Sequence, residues 1–147
     1  MEVLLLDFVL LVILFVWFTL ILTGIKIGKY TLCWSSIKER EKPEIIMWLV
    51  FLVLIFLYVI FPIAGNIAMI LFLLMWIIAQ WFMTLQYIFF PNEKKIKGYN
   101  KYFEDMHHII KPSEKRLVPD TYHIVLFALI IICIIATIIN LAFSQII

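Results

Sequence analysis

Charge is what this chain has least of. Asp, Glu, Lys and Arg make up 15% of its 147 residues, against roughly 25% in an ordinary soluble domain. Glycine occurs four times, proline five times and cysteine twice. No P-loop, G-x-G-x-x-G, G-x-S-x-G or H-E-x-x-H pattern is present, which excludes the common nucleotide, hydrolase and zinc-protease signatures. Cys33 and Cys133 lie far apart and form no C-x-x-C pair, so neither a disulfide framework nor structural zinc is indicated. What the chain does hold is apolar: 65% hydrophobic residues and a mean hydropathy of +1.09. A soluble fold of this size cannot hide that much apolar surface. Soluble enzymes, disordered tails and nucleic-acid binders are excluded, and the composition is that of an all-α integral membrane protein.

Three charge-free runs place the spans: Phe8 to Ile25, Ile45 to Asn92 and Thr121 to Ile147. One helical span takes about 20 residues to cross ~30 Å of hydrocarbon. The middle run is long enough for two spans and breaks at Pro62-Ile63-Ala64-Gly65-Asn66, where proline, glycine and a capping asparagine predict a turn. Four transmembrane helices are therefore expected, over about 2–23, 44–61, 67–90 and 120–147, forming a single domain of two hairpins. The runs lack period-two alternation, which argues against a β-barrel.

All twelve Lys and Arg fall in two loops, 24–43 and 91–119. Four spans put those loops on one side, so charge and topology agree. The positive-inside bias predicts both loops in the cytoplasm and both termini outside, in the cell membrane. The first loop reads as a solvated connector touching anionic headgroups. In the second, Tyr102, Phe103, Met106, Ile109 and Ile110 follow helical spacing. They predict an amphipathic helix over 99–111, begun near Gly98 and ended by Pro112, whose apolar face docks on lipid or on a partner protein.

The candidate chemistry is sparse. Glu104-x-x-His107 and Asp120-x-x-His123 each set a carboxylate and an imidazole three residues apart, one side of a metal site if both lie on a helix. No intramembrane glutamate completes a di-metal bundle, so no metal or other cofactor is expected. Within the spans, Gln80, Thr84 and Tyr87 share one helical face, and Thr137 and Asn140 share another with Cys133 and Ser144. Such faces serve as interhelical packing or as the lining of a lumen. Asp7, close to a helix start, is expected near the outer headgroups, accepting from the N-terminal amine, Asn66, Ser144 or Gln145.

These features predict a non-enzymatic accessory or interaction subunit of a membrane complex, with the bilayer and another membrane protein, or a second copy, as its partners. A homo-oligomeric channel or small-solute transporter is the alternative. A small membrane-surface enzyme acting on lipid, using Glu104, His107, Asp120 and His123, is a second.

Overall fold

The computed structural model describes residues 2–33, 35 and 42–146; Trp34 and the charges at 38–41 fall outside them. The chain is mostly helical, and four of its helices are long and apolar enough to cross a membrane, making it a multi-pass membrane protein. These are α1 (Glu2–Thr23), α2 (Lys42–Ile60), α3 (Pro62–Gln80) and α5 (Thr121–Ile146), with the short α4 (Glu93–Tyr102) between α3 and α5. A π-helical turn (Trp81–Leu85) and a last α-helical turn (Gln86–Phe89) prolong α3. Helices suit these segments because hydrocarbon offers no water to backbone groups, so each N–H and C=O must be satisfied within the segment.

The break between α2 and α3 is tighter than the sequence predicts. Pro62 opens α3 directly after Phe61, and Gly65 and Asn66 lie inside the helix rather than in a loop. The reason is steric economy: proline fits the first helical position because its missing N–H is one the helix leaves unpaired there. Gly65 then permits close approach. A Cβ at Gly65 would lie 2.5 Å from Tyr58 Cα and would also collide with the Leu57 carbonyl oxygen. Backbone of α2 and α3 therefore touch where only glycine fits.

In the bundle α1 packs along α5, α2 along α3 and α3 along α5, while the α1–α2 seam is thinner. Phe18, Phe51, Phe72 and Trp76 interlock edge-on and tilted, with centroids 4.7–5.9 Å apart. Leu11, Leu14, Met69, Leu73 and Ile130 are fully buried around them. Trp17 and Tyr122 lock α1 to α5: the rings stack at 5.4 Å, Trp17 Nε1 donates to the Tyr122 carbonyl at 3.2 Å, and Tyr122 OH donates to the Trp17 carbonyl at 3.3 Å.

The first loop holds a structure the sequence reading omits. Gly24, at φ 74°, ends α1, and an antiparallel hairpin follows: β1 (Ile25–Ile27) and β2 (Tyr30–Cys33), turned at Gly28 with φ 61°. Left-handed backbone of this kind favours glycine.

The second loop departs from prediction. No helix spans 99–111. Helix α4 starts earlier, where Asn92 Oδ1 accepts from the Lys95 amide at 3.1 Å, and it ends at Tyr102. Beyond it the backbone extends to pair with the hairpin: Thr31 N donates to the Asp105 carbonyl at 3.0 Å and His107 N to the Thr31 carbonyl at 2.9 Å. Those bonds consume the groups a helix would have used. The five apolar residues consequently part company. Met106 is 2% exposed, while Ile109 and Ile110 are 63% and 57% exposed.

Candidate functional site

The end of the bundle that carries the basic loops is closed by a chain of hydrogen bonds. β2 holds the 105–107 strand, and the Thr121 amide donates to the His107 carbonyl at 2.9 Å, which fixes the start of α5. His107 Nδ1 lies 2.7 Å from Thr121 Oγ1. From α4, Tyr99 OH donates to Asp120 Oδ1 at 2.7 Å. One turn into α5, His123 Nδ1 meets the same oxygen at 2.6 Å. Asp120 is completely buried, and its Oδ2 has no partner among the described residues.

Burial alone works to raise the Asp120 carboxyl. The hydrogen bond and charge of His123, with the Tyr99 hydroxyl, outweigh it and hold the group below the usual carboxylate range. Burial and the Asp120 charge push Tyr99 up, so it stays a donor. Burial also pushes the Cys33 thiol up to about 11, and its Sγ donates to the Leu20 carbonyl at 3.3 Å. A thiol so placed is a structural group, not a nucleophile.

Of these groups, Cys33, Tyr99 and His123 line a cavity of about 380 Å³. Its lining mixes apolar Ile21, Met83, Phe103 and Met106 with polar Ser35, Glu44, Gln80, Thr84, Tyr99 and His123. Thr84 belongs to the π-helical turn of α3. Such turns insert an extra residue and re-aim side chains, often at functional positions. Beyond Tyr102 and Phe103 the surface continues as a more open groove, bordered by Tyr87, Lys94 and Lys95.

The sequence candidates are thus partly assembled here. Asp120 and His123 form the pair their spacing allows, and His123 reaches the cavity. Glu104 and His107 do not pair on a helical face: Glu104 is exposed and His107 bonds Thr121, because no helix underlies them. No group of three or more His, Cys, Asp or Glu gathers as a metal site among the described residues. Gln80 and Thr84 line the cavity and Tyr87 the groove. Phe103 and Met106 turn inward, and Tyr102 borders both openings. Tyr99 is the residue that sequence reading missed.

Thr137 and Asn140 lie toward the other end of the bundle from Gln80. They close on Asp7, which is 1% exposed rather than at the surface. Asp7 Oδ2 accepts from Tyr58 OH at 2.6 Å and from Asn140 Nδ2 at 3.3 Å; Oδ1 accepts from Thr137 Oγ1 at 3.0 Å. Of the donors expected, neither Asn66 nor Ser144 is among these, and the N-terminal amine and the Gln145 side chain lie outside the described residues. Ser144 turns back to the Leu141 carbonyl instead. A carboxyl group in hydrocarbon gathers every donor within reach, because leaving it unpaired there is costly.

The Asp120 network carries a pH dependence. A carboxyl held low when folded stabilises the closure above the ordinary carboxylate pKa of about 3.9, and loses that contribution as pH falls through the lowered value. Hydrogen exchange at the His107 and Thr121 amides is expected to be slow at neutral pH and to accelerate only below about pH 4. In Asp120→Asn that acid step disappears. An equal step in both proteins would detach it from this carboxyl.

No family model, curated protein or solved structure matches the chain.

Proposed function

We propose that the chain is a non-enzymatic accessory subunit of the cell membrane that holds the polar end of a lipid or similar amphiphile in its basic-end cavity. One observation carries this reading. A cavity of ligand size, lined by both apolar and polar side chains, lies where the helix ends meet the loops. The neighbouring groove brings Lys94 and Lys95 to the same opening, a place for an anionic headgroup. In this reading both basic loops face the cytoplasm and both termini lie outside, the spans forming two hairpins of like orientation. Ile109 and Ile110, exposed beside Lys111, dip into the cytoplasmic headgroups or meet a partner membrane protein or a second copy.

The test is purification in mild detergent followed by native mass measurement. The expected result is a retained amphiphile, displaced in Thr84→Phe, which fills the cavity, with the helical content unchanged. A stoichiometric foreign subunit in the same preparation supports the accessory role. Protein that leaves native membranes with an empty cavity sinks the reading.

A second reading rests on the Asp120–His123 pair. A buried carboxylate orients an imidazole into the cavity, the arrangement a general base uses. A lipid-modifying enzyme would then lose chemical turnover, but keep ligand retention, in His123→Gln.

A further inference from the structure

The Asp7 cluster has a property that tight packing alone does not require. Tyr58 OH is 2.6 Å from Asp7 Oδ2 and accepts from Asn140 Nδ2 at 2.7 Å, so its own proton points at the carboxylate. Asn140 Nδ2 also lies 3.3 Å from the same oxygen, a second and longer contact. The fourth member, Thr137, has one hydroxyl proton and two acceptors: Asp7 Oδ1 at 3.0 Å and the Cys133 carbonyl, one helical turn back, at 2.6 Å. Lys and Arg are confined to the loop segments of the sequence, and among the described residues no cationic side chain bonds to this cluster.

We propose that Asp7, Tyr58, Thr137 and Asn140 form an intramembrane proton-binding site that is fully hydrogen-bonded in both protonation states. With Asp7 ionised, Thr137 donates to Oδ1. When Oδ1 takes up a proton, its new O–H donates to Thr137 Oγ1, and the threonine proton swings to the Cys133 carbonyl. Oδ2 keeps both its donors throughout. The proton comes from a hydronium ion of the aqueous phase, whose O–H bond breaks as the carboxyl O–H forms, and no other covalent bond changes. Only a hydroxyl rotor moves, and Asp7, Tyr58 and Thr137 stay hydrogen-bonded in both states.

The surroundings single out Asp7 as the group that titrates. From α2 the ionisable group facing it is Tyr58, a donor in both states. From α5 it is Cys133, whose Sγ is occupied with the Leu10 carbonyl at 3.4 Å. The α3 residues at this level, Asn66 and Met69, do not ionise, and Glu2 on α1 itself is exposed. Because the three donors come from α2 and α5, the charge on Asp7 sets how tightly both helices are drawn to α1. The site binds a proton in the apolar interior while the helix contacts around it are kept.

The test is difference infrared spectroscopy of the purified protein in lipid nanodiscs, titrated between about pH 4 and about pH 10. The expected result is one protonated-carboxyl band that grows as pH falls and is absent in Asp7→Asn. Thr137→Val removes a donor to the anion, and a hydrogen bond to a charged group is roughly twice as strong as a neutral one. The midpoint should move up by about one pH unit, while Thr137→Ser leaves it in place. Tyr58→Phe removes another donor to the anion and moves the midpoint the same way, which keeps the test decisive if the valine variant fails to fold. No Asp7-dependent band over that range, or a midpoint unmoved in both variants, overturns the proposal.

Discussion

Asp120→Ala is expected to open the basic end of the bundle while the four spans stay helical. The substitution takes away the one atom on which Tyr99 and His123 converge, at 2.7 and 2.6 Å. Asp120 is completely buried and the His123 side chain is 20% exposed, so neither partner gains enough water to replace it. Leaving a buried polar group without its partner costs about 1–3 kcal/mol. The loss falls on the packing of α4 and the second loop, because Tyr99 is the side chain through which α4 bonds to the start of α5. Thermal unfolding in detergent should show an earlier local transition. Limited proteolysis should reach the chain between Pro112 and Pro119, and far-ultraviolet circular dichroism should change little. Asp120→Asn keeps an acceptor without the charge and is expected to lose less. If Asp120→Ala unfolds like the unmodified protein and stays protease-resistant, the triad does not hold this end together.

The spans were legible because charge is costly in hydrocarbon and its absence marks them. Their inward faces were not. Phe51 is fully buried and Phe56 is 61% exposed on the same helix, and in lipid the hydropathy of the two is identical. Nothing in an all-round apolar helix says which side meets protein. The Asp120–His123 pair was legible from a three-residue spacing because α5 starts beneath it. The same spacing misled at Glu104 and His107, where the chain leaves helical geometry to pair with β2. That pairing depends on the hairpin. Its alternation of Ile25, Ile27, Thr31 and Cys33 about the turn at Gly28 was the available signal, a hairpin pattern at short range. The partners of Asp7 lie 51, 130 and 133 residues along the chain, beyond any local pattern. The sequence marked Thr137 and Asn140 as polar residues within a span, passed over Tyr58, and gave no sign that the three meet.

Gly65→Ala is expected to be among the most damaging single-methyl changes in the protein. The added carbon would stand 2.5 Å from Tyr58 Cα, with the Leu57 carbonyl also in its way. Both obstacles are backbone, so no side-chain rotation relieves them and α2 must move off α3. Overpacking of this kind typically costs about 1–3 kcal/mol, occasionally more. Here the displacement also carries Tyr58, whose hydroxyl is held between Asp7 and Asn140. Leaving Asp7 short of a donor adds the cost of an under-satisfied buried carboxyl group, so a total of at least about 3 kcal/mol is expected. Gly98→Ala supplies the contrast. Gly98 lies within α4 and a Cβ there meets nothing within 4 Å, so replacing it removes backbone freedom from the unfolded chain without a clash. That variant should be neutral or stabilising by about 0.5–1 kcal/mol. Denaturant titrations of the two proteins in the same detergent decide the matter. Equal stabilities would mean that α2 and α3 do not approach as closely as backbone contact at Gly65 requires. A wide gap, with Asn140→Leu adding little on top of Gly65→Ala, would show the helix contact and the Asp7 cluster to be one coupled unit.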